Sequence, residues 1–215
     1  MSHLSPLLLM LTAFVGSQDP LPPNLEVKVT VPTFANATCP IMGKPASKSL
    51  FAETPKGRIY MCCKACTKKI LADVDKSYQA AYPNLTKAGN KVCPILGEKI
   101  EEGSPTVVLQ GVELNVCCED CVADAPKMSQ LVLTRATLKN SVDIANKTCP
   151  VTDKPATADT FCLIGENIVH LSSIKCVDDV RKDPAKFLAK ALELKQKEAK
   201  ESAAKGGDKR AHKNQ

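Results

Sequence analysis

Asn36-Ala37-Thr38-Cys39-Pro40-Ile41, Asn90-Lys91-Val92-Cys93-Pro94-Ile95 and Asn146-Lys147-Thr148-Cys149-Pro150-Val151 are one hexapeptide written three times, at spacings of 54 and 56 residues. Self-similarity at a fixed period marks a repeated structural unit. A second element recurs at matching distance. It reads Gly57-Arg58-Ile59-Tyr60-Met61-Cys62-Cys63-Lys64-Ala65-Cys66 in the first copy and Gly111-Val112-Glu113-Leu114-Asn115-Val116-Cys117-Cys118-Glu119-Asp120-Cys121 in the second. The third copy runs from Gly165 to Cys176, with Ser172 and Ser173 where the others carry a cysteine pair, so it is degenerate.

Within a unit, the residues after Cys-Pro, such as Met42-Gly43-Lys44-Pro45, read as a tight turn. Arg58 to Cys62 and Val112 to Val116 alternate as strands of a hairpin do. Cys66, Ile70 and Val74 then recur every four residues, which predicts one helix over Lys64 to Ala81. In the third unit the helix is expected to run on through Asp183-Pro184 into Phe187, Leu188, Ala191 and Leu192. The expected fold class is α+β, as three tandem modules, each a β-hairpin followed by a helix. They span residues 36–89, 90–145 and 146–192, the third acting as a cap on the array. An extended leader at 18–35 precedes them, and a basic, disordered or helical tail at 193–215 follows.

A chain of 215 residues with 4% aromatic content and no Trp argues for small modules over one large core. A unit of about 50 residues with few large apolar side chains does not offset its chain entropy unaided. Eleven cysteines supply the staple, as metal sites, disulfides or both. Residues 4–16 form an apolar run ending in Val15-Gly16-Ser17, read as a signal peptide over 1–17, which implies a periplasmic or secreted protein. The run is shorter than the roughly 20 residues a membrane-spanning helix needs, and no second such stretch follows. The net charge of +6 concentrates in residues 186–215, which hold nine Lys or Arg against four Asp or Glu. The rest is nearly neutral, so no nucleic-acid partner is expected.

Cysteine spacing carries the chemistry. Cys39 is followed after 22 residues by Cys62-Cys63 and, two residues on, by Cys66; Cys93 is followed after 23 by Cys117-Cys118 and then Cys121. A C-x2-C turn with a distant third thiolate approaches the sulfur-rich geometry that suits Zn2+ or Cu+. A helix beginning at the last cysteine favours the thiolate form. Adjacent cysteines cannot point the same way on a regular strand, so either the backbone bends there or one of each pair lies outside the ligand set. Met42 and Met61 are read as core residues, because Leu96 and Val116 occupy the matching places.

Cys39-Pro40-Ile41-Met42-Gly43-Lys44-Pro45 and Met61-Cys62-Cys63-Lys64-Ala65-Cys66, with Lys182-Asp183-Pro184-Ala185-Lys186-Phe187-Leu188, resemble the YHS and TRASH families. The resemblance implies small treble-clef-like metal-binding modules in heavy-metal sensing, trafficking or resistance, commonly with copper, without catalysis. It maps ligands onto Cys39, Cys62 and Cys66, and onto Cys93, Cys117 and Cys121. It also implies a metal ion as the partner, with a metal-donor or metal-acceptor protein beside it. The third unit departs from the pattern, keeping Cys149 and Cys176 but placing Cys162 and His170 irregularly; a mixed site from these four competes with a disulfide or a structural spacer.

Two other classes compete for the whole chain. Disulfide-stapled modules with a structural or partner-binding role explain the staple equally, although adjacent cysteines and an odd total fit them awkwardly. A thiol-disulfide oxidoreductase would use Cys63 to Cys66 or Cys118 to Cys121 as C-x2-C pairs, but the apolar strands and alternating helices of such folds are lacking. Hydrolytic catalysis has no recurring general base, since the only histidines are His3, His170 and His212. Asn36, Asn84 and Asn146 match the glycosylation acceptor pattern, while the Asn opening each repeat is read as shaping a turn.

Overall fold

The computed structural model describes residues 27–211, with side chains described through 202. The signal-peptide stretch and most of the leader lie outside the described residues.

Strand β1 (Val29–Thr30) lies in the leader; the first repeat has a hairpin of β2 (Phe51–Thr54) and β3 (Gly57–Tyr60), then α1 (Cys66–Ala72) and α2 (Val74–Ala81). Strand β4 (Thr86–Lys87) then precedes the second repeat's hairpin of β5 (Thr106–Leu109) and β6 (Val112–Asn115). After it come α3 (Glu119–Asp124), a 3-10 turn (Ala125–Met128) and α4 (Ser129–Thr137). Strand β7 (Val142–Asp143) then precedes the third repeat, which has β8 (Phe161–Ile164), β9 (Asn167–His170), α5 (Cys176–Lys182) and α6 (Pro184–Ala211). The chain is thus mixed α+β, and each repeat carries a hairpin followed by helix. No described helix is long and apolar enough to cross a membrane.

Each hairpin packs its inward residues with buried cysteines of its own repeat, two in the first and second and three in the third. Ala52, Ile59, Met61 and Ile70 surround Cys39 and Cys66. Leu109, Leu114, Val116 and Val132 surround Cys93 and Cys121. Ile164, Val169, Leu171 and Val180 surround Cys149, Cys162 and Cys176. The cysteines are therefore buried by their own module's core, which couples local folding to the chemistry of the sulfurs.

The helix expected over Lys64 to Ala81 is broken in two at Asp73. Its backbone leaves the helical region (φ −147°) and its carboxylate accepts the Lys76 N–H, so Asp73 ends α1 and caps α2. The same exchange separates α5 from α6: Asp183 sits at φ −150° and accepts the Lys186 N–H at 3.1 Å, with Pro184 in the first turn. The tail beyond 192 continues as helix α6 to Ala211. Along its first half, Lys195 Nζ donates to the Ala145 carbonyl and Glu198 accepts the Lys147 N–H.

Specific contacts join the leader and the three modules. Strand β1 of the leader pairs antiparallel with β8, Val29 opposite Ile164, so the sheet order is β1-β8-β9-β7. From the first module, Arg58 reaches Asp159 of the third at 2.7 Å. Asp159 also accepts the Gln130 and Leu131 N–H groups near the start of α4 in the second. One nearly buried carboxylate therefore ties all three modules, and leaving it unpartnered would be costly. Gly57, at φ +86°, faces Gln110 of the second module so closely that an added Cβ would lie 2.9 Å from its Oε1.

Candidate metal centres

Three copies of one backbone turn present Cys39, Cys93 and Cys149. In each, the cysteine N–H donates to a carbonyl five residues on: Lys44 at 2.7 Å, Glu98 at 2.7 Å and Lys154 at 2.8 Å. In each, the N–H four residues on donates back to the cysteine carbonyl, from Gly43, Gly97 and Asp153. That fourth residue is left-handed, at φ 64°, 76° and 56°, which Gly adopts freely and Asp tolerates.

A side-chain clamp then fixes the turn against the second hairpin strand. Asn36 Nδ2 donates to the carbonyls of Thr38 (2.7 Å) and Tyr60 (2.9 Å), and its Oδ1 accepts the Tyr60 N–H at 2.8 Å. Asn90 does the same between Val92 and Asn115, and Asn146 between Thr148 and His170. The repeat-opening Asn thus shapes the turn as expected and also bridges to the strand that leads into the cysteine pair. In the first and third copies the amide is buried, at 5% and 3% exposure, with its donors and acceptor engaged, which leaves no free amide for a glycan on Asn36 or Asn146. The clue to this role was the fixed position of Asn three residues before each Cys-Pro.

With the turn so held, the distant sulfurs converge. Cys39, Cys62 and Cys66 form one group with all sulfurs within 4.8 Å of one another, and Cys93, Cys117 and Cys121 form a second. Cys66 Sγ lies 3.6 Å from Cys39, 4.0 Å from Cys62 and 3.7 Å from Cys63. Cys121 Sγ lies 3.8 Å from Cys93, 3.7 Å from Cys117 and 3.5 Å from Cys118. Sulfurs bound at about 2.3 Å around one tetrahedral ion stand about 3.8 Å apart, so the donor sets fit a thiolate-bound ion. The chain bends at Cys62-Cys63, which is how neighbouring side chains both reach Cys66. Cys63 is the exposed member of its set, whereas Cys39 and Cys66 are buried.

The sulfurs differ in acidity. Burial opposes ionisation of Cys39, but backbone groups of Cys62, Ile41 and Met42 and the Cys66 thiol outweigh it and bring the pKa down to about 7. Cys66 is pushed up to about 12, by burial first and then by its hydrogen bonds to Cys39, Cys63 and Cys62. Cys93 is lowered by backbone groups against its burial, while Cys117 rises to about 12 and Cys121 rises as well, both chiefly through burial. Within each triad the turn cysteine is thus shifted toward its thiolate while its two partners are shifted away from theirs, a difference that a bound cation would override by favouring the thiolate at every ligand.

The third copy keeps the seat and loses half the sulfur. Cys149 and Cys176 lie 3.9 Å apart, with Ser172 Oγ 3.8 Å from Cys176 Sγ. His170 does not join them. Its Nε2 is 3.0 Å from Asp143 and its Nδ1 is 3.3 Å from the Thr157 carbonyl, so both ring nitrogens are occupied. Cys162 lies in β8 within the apolar core, its thiol pushed up to about 12 by burial. The mixed donor set of Cys149, Cys162, His170 and Cys176 is thus not assembled.

Met61 is a core residue, 1% exposed, but Met42 is 52% exposed at the tip of its turn, and Leu96 at the matching place is 59% exposed. The reading of Met42 as core is corrected on that ground. Among the described residues no second layer of chain covers the tip of the turn. No local pattern announces the path from His170 through Asp143 to Arg135, whose guanidinium donates to the Pro94 carbonyl at 2.8 Å, beside Cys93. Comparison with family models, with curated proteins and with solved structures found no match to this chain.

Proposed function

We propose that this chain is an exported, non-catalytic protein that binds two soft metal ions, Zn2+ or Cu+, in metal trafficking, sensing or resistance. The observation that carries the reading is the convergence of Cys39, Cys62 and Cys66, and of Cys93, Cys117 and Cys121, each set within 4.8 Å. Cys63 and Cys118 stand beside the triads as fourth sulfurs, giving one four-thiolate set per module. The turn, hairpin and helix of each repeat support the YHS and TRASH resemblance and its treble-clef-like module. The third module serves as scaffold, joined to the leader by β1 and to the first module by Asp159.

In this reading the chain's own groups divide the work. The Asn clamps and Cys-Pro turns hold the buried sulfurs in place before any ion arrives. Cys39, with its lowered pKa, is the first donor ready near neutral pH. Exposed Cys63 is the sulfur that an incoming metal-donor or metal-acceptor protein reaches. A bound ion supplies a cross-link between turn and helix, worth more to a small module than its apolar core.

The test is elemental analysis of the purified full-length chain, paired with a free-thiol count under denaturing conditions with chelator. About two equivalents of zinc or copper with eight or more thiols support the reading. No metal, with nearly all thiols paired, would replace it with disulfide-stapled modules.

A further inference from the structure

The third seat has the backbone of the first two and a different chemistry. Cys149 and Cys176 are 0% and 4% exposed, and their sulfurs are 3.9 Å apart. Ser172 occupies the place of Cys62 and Cys117, and Thr152 the place of Met42 and Leu96. Their hydroxyls meet at 2.8 Å across the mouth of the seat. No third sulfur completes a coordination set, and Cys162 and His170 are committed elsewhere. What remains is a pair of close thiols held by a rigid turn, a clamp and a helix start.

We propose that Cys149 and Cys176 form a redox dithiol that closes to a disulfide with a small hydroperoxide, as a modification site separate from the two metal centres. The Cys149 thiolate attacks one oxygen of hydrogen peroxide; an S–O bond forms, the O–O bond breaks, and the departing hydroxide takes a proton from solvent to give water. Cys176 then attacks the sulfenic sulfur of Cys149. The S–S bond forms, the S–O bond breaks, and the leaving hydroxide carries off the Cys176 proton as a second water. Two thiols lose two electrons, and one peroxide becomes two waters.

The roles follow from the surroundings. Burial opposes ionisation of Cys149, but the Thr152 and Ser172 hydroxyls and backbone groups of the same two residues overcome it and bring the pKa to about 7. Cys176 is raised by burial, so it keeps its proton until the second step. A peroxide is small enough to pass the exposed Thr152, where a folded oxidoreductase could not reach sulfurs this deep. In the first two modules the matching sulfurs face further thiols, and an ion bound there would shield them.

The experiment uses the full-length chain loaded with Zn2+, its metal content measured first, then treated with hydrogen peroxide. The sample is alkylated while denatured and mapped by peptide mass spectrometry. The expected result is a Cys149–Cys176 cross-link that dithiothreitol removes, with Cys162 still alkylated. In Cys176→Ser, Cys149 should instead accumulate as a sulfenic acid trapped by dimedone. Cys149 and Cys176 both fully alkylated after oxidation, with no trapped sulfenic acid in the variant, would overturn the proposal. So would a link from Cys149 to Cys162. Absence of zinc before oxidation counts against the metal reading alone, because cross-links are located residue by residue.

Discussion

Asn36 and Tyr60, 24 residues apart, exchange two hydrogen bonds: Nδ2 donates to the Tyr60 carbonyl at 2.9 Å and Oδ1 accepts the Tyr60 N–H at 2.8 Å. This pair sets the distance between the Cys39 turn and the strand that delivers Cys62. Replacing Asn36 by Ala leaves buried backbone groups of Tyr60 without partners, at a cost of about 2 kcal/mol. Urea unfolding of the chelator-treated N36A chain should show that loss. If N36A unfolds as the parent does, the clamp has no structural weight.

Cys66 touches three sulfurs, whereas exposed Cys63 stands outside the triad of Cys39, Cys62 and Cys66. Cys66→Ser should therefore abolish ion binding in the first module and make that module the first to be cut by protease. Cys63→Ser should retain the ion on the remaining triad and lose it faster to a competing chelator. Metal release followed with a chromophoric chelator separates the two variants, and equal behaviour would refute the ordering.

The sulfur acidities set a pH profile for the metal-free, reduced chain. Cys39 falls from 9.0 to about 7 on folding, so its contribution is present above pH 9 and is lost as pH falls through 7. Cys66 rises from 9.0 to about 12, so its contribution is present below pH 9 and is lost as pH rises through 12. The first module should be most stable near pH 9 and weaken on either side. Proteolysis rates across that range, with chelator and reductant present, measure it; a monotonic profile would show that these thiols do not govern stability.

Ser172 and Ser173 are all that distinguishes the third seat in donor positions. Ser172→Cys with Ser173→Cys restores four sulfurs on an intact turn, clamp and helix start. Cadmium titration monitored by thiolate absorbance should then saturate at three equivalents instead of two. Saturation still at two would mean that the turn around Thr152 is also incompatible with an ion.

The repeats, hairpins and cysteine turns were legible because each is local: an Asn three residues before Cys-Pro, turn-forming residues just after it, alternation before the cysteine pair. The break at Asp73 was hidden because Cys66, Ile70 and Val74 keep helical spacing across it, while the Asp73 cap on Lys76 overrides the pattern. The seating of the modules was hidden for another reason. Two-residue β1 has no sequence signature, and Arg58 and Asp159 are 101 residues apart with nothing local to join them. The triads were legible as spacing, but the separate fate of His170 depended on Asp143, a partner drawn from the segment before the third repeat.

Native mass spectrometry of the reduced full-length chain with added Zn2+ tests the two-centre account most directly. The account predicts two bound ions on the parent chain, one each on Cys66→Ser and on Cys121→Ser, and none on the double variant. A parent chain that carries no ion, or single variants that still carry two, would contradict it.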